Sequence, residues 1–239
     1  MELDYDFLAA TFWLVLTAVP VTLKLTAVSL LAAAPLAFGI ALLRRPQAAG
    51  LRSWLAGSYV TFVRGTPMVL QILMIYSLLP SLLHALSEAL QLDLDVFSLD
   101  PIWYAYVVFT LNTVALLSEV FRSALGSVAD GQLEAALCAG LTKPQAYFHI
   151  ILPQAMTAAL PNICNLTVNL IKGTSLAFLM TVKDMTAAAK VAASYGYNYI
   201  EAYMDVLVGY IIVCSIVQAI FYFAERHVGR YRMLSGKQV

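Results

Sequence analysis

Residues 126–153 read GSVADGQLEAALCAGLTKPQAYFHIILP, and they differ in kind from the apolar sequence on either side. The stretch is too long and too rich in helix formers for a simple connector. Asp130 can cap a helix running from Gly131 to Ala139, Gly140 ends it, and Lys143-Pro144 starts a second helix ending at Pro153. Ala135, Ala136 and Ala139 give the first helix a small face that another protein's surface could approach closely, with Glu134 at its edge. A surface helix pair serving only as a linker would satisfy the same pattern.

Working outward, apolar runs lie near 102–124 and 155–181, and further out near 21–43, 56–80 and 203–224. About 20 such residues cross about 30 Å of hydrocarbon at 1.5 Å each. The whole chain is 61% hydrophobic and 12% charged, with mean hydropathy +0.80. Soluble domains are about 45–50% apolar and about 25% charged. The expected fold class is therefore an all-α integral membrane protein with five transmembrane helices, and Pro35, Gly39 and Pro67 are tolerable within spans whose neighbours satisfy the freed backbone groups.

Five crossings put the termini on opposite sides. Arg44, Arg45 and Arg52, then Lys143, then Arg226, Arg230, Arg232 and Lys237 occupy alternate connections, which the positive-inside rule makes cytoplasmic. Only Lys183 and Lys190 oppose that assignment, and the N-terminus is expected outside with the C-terminus inside. Lys24, near the outer end of its span, can snorkel to the headgroups. The opening MELDYDFLAATFWLVL is acidic where a secretory signal would be basic, and no small-residue cleavage site follows. Residues 1–19 thus read as an extracytoplasmic interfacial segment, 20–225 as the membrane domain and 226–239 as a basic cytoplasmic tail.

Net charge is zero, and no basic-aromatic interleaving points to nucleic acid. Cys138, Cys164 and Cys214 stand singly and read as small apolar fillers. No phosphate-binding loop and no H-E-x-x-H motif occurs, and His84, His149 and His227 lie in loops or at span ends, which disfavours an intramembrane enzyme.

Ionisable groups inside spans cost about 2.5–3.5 kcal/mol on insertion scales and usually face a cavity or a partner. On the second span Arg64, Met68 and Gln71 share a face beside Pro67; on the third, Asn112 and Glu119 share one, with Arg122 three residues beyond. On the fourth, Asn162, Asn165, Asn169 and Lys172 recur at spacings of three, four and three. They form a stripe within roughly 80° of arc. Three polar stripes suggest a shared polar interior; groups pairing only with each other, or with a partner, to hold helices together would look the same.

The 126–153 loop also carries E-A-A-x-x-x-G-x9-I-x-L-P, met by Glu134, Ala135, Ala136, Gly140, Ile150, Leu152 and Pro153. This resembles the EAA signature of ATP-binding-cassette (ABC) importer permeases. RGTPMVLQILMIY at 64–76, LNTVALLSEVFRSAL at 111–125 and LIKGTSLAFLMTVKDM at 170–185 extend the similarity to the polar amino acid, or histidine/glutamine-type, permeases. The resemblance implies the type I importer (MetI-like) architecture, with coupling helices that dock on an ATPase. Carried over, the coupling contacts are Glu134, Ala135, Ala136, Gly140, Leu152 and Pro153. The expected partners are an ABC ATPase dimer carrying ATP and magnesium, a second permease, identical or paralogous, and an extracytoplasmic binding protein. The chain itself would need no cofactor, and its place would be a bacterial cytoplasmic membrane.

A zwitterionic amino acid needs a cation or backbone donors for its carboxylate and an acceptor for its ammonium group. The candidate substrate contacts are Arg64, Gln71, Asn112, Glu119, Asn165, Asn169, Lys172, Thr174 and Ser175. Gly173 stands where such permeases commonly have Asp, and that missing carboxylate disfavours a pocket built around a cationic side chain. Residues 191–214 are similar to cystine and sulfur-amino-acid permeases from Tyr199 through Glu201, Tyr203 and Asp205, so a neutral or zwitterionic amino acid, cystine among them, is the expected cargo. That tyrosine-rich segment could contact the binding protein or form an aromatic interfacial belt. A permease for another solute, such as a basic amino acid, an opine, a sulfur compound or an osmolyte, and an ATP-independent channel or carrier are the competing readings.

Overall fold

The computed structural model describes residues 3–45, 50–92 and 95–235, with residues 229–235 as backbone only. Its α-helices are α1 (Tyr5–Leu43), α2 (Leu51–Gly65), α3 (Met68–Ala89), α4 (Pro101–Gly126), α5 (Asp130–Cys138), α6 (Lys143–Ala146), α7 (Leu152–Gly173), α8 (Met185–Gly196) and α9 (Tyr199–Ser235). Five helical segments are long and apolar enough to span a membrane: α1, α3, α4, the run from Lys143 to Met180, and α9 from Tyr199 to Val228. Lys237 of the basic tail lies outside the described residues.

The centre of the bundle is α4, packed along its length against α1. The two run parallel, for Leu25 meets Tyr106 and Phe109 while Ala37 and Ala41 meet Leu117 and Phe121. Close approach is possible because the buried side of α1 carries Thr22, Thr26, Ser29, Ala33, Ala37 and Ala41. Small residues a turn apart let backbones come near enough for dispersion to hold helices together in lipid, where no hydrophobic drive acts between them. Gly209 serves the same end on α9, where a Cβ would sit 3.0 Å from Val15 Cγ1 and 2.6 Å from the Met185 methyl.

Most of α3 and α9 faces outward, with Leu70, Met74, Leu78, Leu207, Ile211 and Ile220 exposed, as a lipid-facing surface requires. At 39 residues, α1 is one continuous helix through residues 5–43. At 1.5 Å per residue this is roughly 58 Å, longer than the hydrocarbon core.

The expected second span, 56–80, is instead two helices. Thr66 is extended (φ −116°, ψ 143°) and Pro67 caps α3. A residue before proline is pushed out of the α region by the pyrrolidine ring, so the break falls there. The expected stop of the loop's second helix at Pro153 is also overturned. A capping box between Thr142 and Gln145 starts α6, a widened π turn spans Tyr147–Ile151, and α7 continues through Pro153 to Gly173. Proline inside a helix removes one ladder bond and crowds the carbonyl four residues back; the wider turn beside Pro153 accommodates both.

Candidate functional site

The expected polar groups separate into three places. Gln71 and Asn112 fasten the broken helix. Gln71 Nε2 donates to Val63 O (2.8 Å), Thr66 O (3.1 Å) and Thr66 Oγ1 (2.8 Å), while its Oε1 accepts from Asn112 Nδ2 at 3.0 Å. The amide thereby caps carbonyls that the break leaves without helical partners and ties them to α4. Because α2 and α3 are separate helices, Arg64 and Gln71 do not share one continuous face, contrary to expectation.

Glu119 stands among arginines. It accepts from Arg44 Nη1, and its Oε2 accepts from Arg122 Nη2 at 2.7 Å and Nε at 3.0 Å; Arg64 Nη1 lies 3.9 Å from Oε1. Arg44 was not among the expected site residues. Parallel packing of α1 and α4 brings the end of α1 level with Glu119, a pairing that depends on tertiary register. Glu119 is 16% exposed and Arg64 52%, so the carboxylate is largely enclosed and the far arginine is not.

The α7 stripe stands apart. Asn162, Asn165, Asn169 and Lys172 are all exposed, and none forms a side-chain hydrogen bond or ion pair among the described residues. Behind them Leu166, Val168, Leu170 and Ile171 are buried against α1, α4 and α9. Gly173 lies beside α3, where an added Cβ would be 3.7 Å from Met68 Sδ. Thr174 turns the other way; it is buried, and its hydroxyl donates to Ile171 O at 2.6 Å. Ser175 is half-buried.

Another polar cluster was not anticipated. Asp184 caps α8, accepting from Ala187 N at 2.8 Å and from Tyr210 Oη at 3.1 Å, and it is fully buried in the turn outside the spans. Burial pushes its carboxyl above the usual aspartate range. Glu201 (7% exposed) and Asp205 (2%) are buried rather than offered to an outside partner, and Glu201 accepts from Asp4 N at 3.2 Å. Tyr195, Tyr197 and Tyr203 are the exposed tyrosines of that segment. Of the two opposing lysines, Lys190 sits 3.7 Å over the Phe178 ring, a cation–π contact.

In the loop, α5 begins at Asp130, with Ala129 as its cap residue and no side-chain capping bond; Asp130 belongs to the first turn instead. The C-terminal end is as expected. Gly140 adopts φ +87°, its N–H bonds Leu137 O, and Leu141 N–H bonds Ala136 O. This is a Schellman closure, which a glycine in left-handed conformation permits. Glu134, Ala135, Gly140 and Pro153 are exposed, Ala136 is buried and Leu152 half-buried. Leu137 and Phe148 add exposed apolar surface, and Cys138 is exposed, not packed as a filler. No cluster of three or more metal-ligating side chains occurs among the described residues.

Residues 33–230 match the family described as Binding-protein-dependent transport system inner membrane component. The chain belongs to that family. A probable amino-acid permease, YxeN of Bacillus subtilis (strain 168), is 36% identical over 92% of this chain and 94% of its own length. An L-cystine transport system permease, TcyL of the same strain, is 32% identical over 95% of this chain and 93% of its own. Other relatives are named as octopine and nopaline permeases. Among solved structures, a chain titled as an amino acid ABC transporter with histidines matches with TM-score 0.78 at 24% identity, covering 95% of this chain and 100% of that one. The fold is thus the all-helical type I importer permease fold. This family member is an integral membrane permease subunit of an ABC transporter, and not its ATPase.

Proposed function

We propose that this permease moves a polar amino acid into the cytoplasm, with a neutral or zwitterionic one, cystine foremost, as cargo. The observation that carries the reading is the exposed Asn162–Lys172 stripe on a helical rod long and apolar enough to span a membrane. Unsatisfied amides and an ammonium group are too costly to leave against lipid, so they face a water-filled path or a second permease across it. Lys172 suits a substrate carboxylate, and the Asn165 and Asn169 carbonyls suit its ammonium group. Arg64, Gln71, Asn112 and Glu119 then frame the path, since Glu119 is already held by Arg44 and Arg122 and Gln71 by backbone carbonyls. Thr174 and Ser175 begin the 3₁₀ segment, Thr174–Met180, that follows α7.

The proposed energy route follows one rod. From Lys143 to Gly173 the chain runs as α6, the π turn and α7, roughly 45 Å at 1.5 Å per residue, with the stripe toward one end and the α5 contact at the other. An ATPase dimer closing on ATP and magnesium would push α5, and the rod would carry that displacement to the path. The N-terminus lies outside and the C-terminus inside a bacterial cytoplasmic membrane in this reading. A second permease, identical or paralogous, completes the path, and an extracytoplasmic binding protein delivers the cargo. The competing cargo is an opine, the class that the octopine and nopaline relatives' names carry.

Uptake of labelled cystine by the reconstituted system, challenged with a panel of unlabelled amino acids and opines, tests the proposal. Unlabelled cystine should compete, and Asn165→Leu with Asn169→Leu should lower uptake while leaving assembly intact. Competition by arginine or octopine with no effect of cystine would discard this cargo. Full uptake by the double asparagine variant would discard the stripe as path lining.

A further inference from the structure

A cavity of about 450 Å³ opens where the ends of α1 and α4 meet the coupling loop. Its walls include Arg45 after α1, Arg122 on α4, Asp130 and Leu133 on α5, and Tyr147 and Ile151 in the π turn. The Arg45 guanidinium lies over the Tyr147 ring, 4.5 Å from its centroid, and makes no ion pair among the described residues. That stacking fixes the plane of a cation whose donors remain free.

The second observation is the charge behind this wall. The single Glu119 carboxylate serves Arg44, Arg122 and, at 3.9 Å, Arg64, so positive charge outweighs negative at this end of the bundle. Arg122 spends two donors on Glu119 and still has 44% of its side chain exposed. Among the described residues Asp130 is the only acid in the cavity wall. Guanidinium forks in a partly enclosed site match phosphate oxygens geometrically, and basic pockets between helix ends are a recurrent setting for phosphate headgroups.

We propose that this cavity binds a phosphate group, held by Arg45 and Arg122, with Leu133 and Ile151 against the apolar part of its carrier. The phosphate belongs either to an anionic phospholipid of the adjoining leaflet or to free phosphate in solution. Since Asp130 begins α5 and Tyr147 and Ile151 lie in the π turn that leads into α7, occupancy braces the segment through which coupling passes. That consequence rests on the coupling reading above, whereas the binding itself does not.

The test uses the assembled permease–ATPase complex in nanodiscs of phosphatidylcholine, with and without phosphatidylglycerol. Native mass spectrometry reads retained anionic lipid, and hydrogen exchange reads the 126–151 backbone. Phosphatidylglycerol should be retained and should protect the loop. Removing one surface arginine weakens headgroup attraction by about 1 kcal/mol, so Arg45→Gln should lower retention about fivefold and Arg45→Gln with Arg122→Gln more. Arg45→Lys, which keeps the charge but loses the planar fork, should fall between. If inorganic phosphate alone protects the loop in phosphatidylcholine discs and Arg45→Gln abolishes this, free phosphate is the ligand. Unchanged retention and protection in Arg45→Gln, with normal assembly, overturns the proposal whether or not uptake is coupled.

Discussion

At Gly140, in the loop proposed to couple to the ATPase, backbone conformation rather than side-chain contact sets the effect of a substitution. A Cβ added there would meet no atom within 4 Å, so sterics against neighbours contribute nothing to the effect of substitution. The φ of +87° is what matters. An L-residue in left-handed conformation costs roughly 1–2 kcal/mol, which corresponds to a factor of about 5–30 in the population of the closed Schellman turn. Asparagine tolerates this region better than alanine, and a β-branched residue tolerates it worse. The expected order of ATPase co-purification and of binding-protein-stimulated ATP hydrolysis is therefore wild type, Gly140→Asn, Gly140→Ala, then Gly140→Val. Hydrogen exchange at Gly140 and Leu141, whose N–H groups bond Leu137 O and Ala136 O, should rise in the same order. Wild-type coupling in Gly140→Val, or an asparagine variant as impaired as valine, would show that the turn does not require left-handed geometry.

Two further outcomes are expected. Cys138 is exposed on α5 and Cys214 is buried, so a membrane-impermeant maleimide applied to the isolated permease should modify Cys138 and spare Cys214; an ATPase docked on α5 should slow the Cys138 reaction, and equal rates with and without it would move the docking site elsewhere. Burial holds the Asp184 carboxyl above its ordinary range, so its contribution to stability is fully present below the unfolded aspartate pKa, about 3.9, and is lost as pH rises through the higher folded value. Asp184→Asn keeps an acceptor for Ala187 N and a group to meet Tyr210 Oη, so it should flatten that pH dependence and equal or exceed wild type in thermal stability at neutral pH; Asp184→Ala, losing the cap, should cost about 1–2 kcal/mol. A stability profile in Asp184→Asn with the wild-type pH dependence would count against this account.

The spans were legible because lipid leaves a chain few ways to satisfy its backbone, and runs of about 20 apolar residues announce the helical one. Gly140 was legible for a related reason: a glycine after a small-residue helix and before Lys-Pro marks a left-handed stop, whatever the tertiary context. The α7 stripe could be found from periodicity alone, since Asn162 to Lys172 repeat at helical spacing, and its exposure agrees with a face that none of the described residues covers. Partner choice was not legible. Glu119 pairs with Arg44 because α1 and α4 run parallel in a register set by Thr22 through Ala41, and no local pattern near either residue encodes that register. Gln71 illustrates the same limit from the other side. Its amide looked like a ligand group on a continuous helix, but Pro67 breaks the helix and creates unpaired carbonyls at Val63 and Thr66, which then claim the amide. A polar residue within a turn of a proline break therefore has a backbone demand to meet before any substrate. By that measure Asn165, Asn169 and Lys172, beyond Pro161 on α7 and without side-chain partners among the described residues, are the groups we propose for cargo.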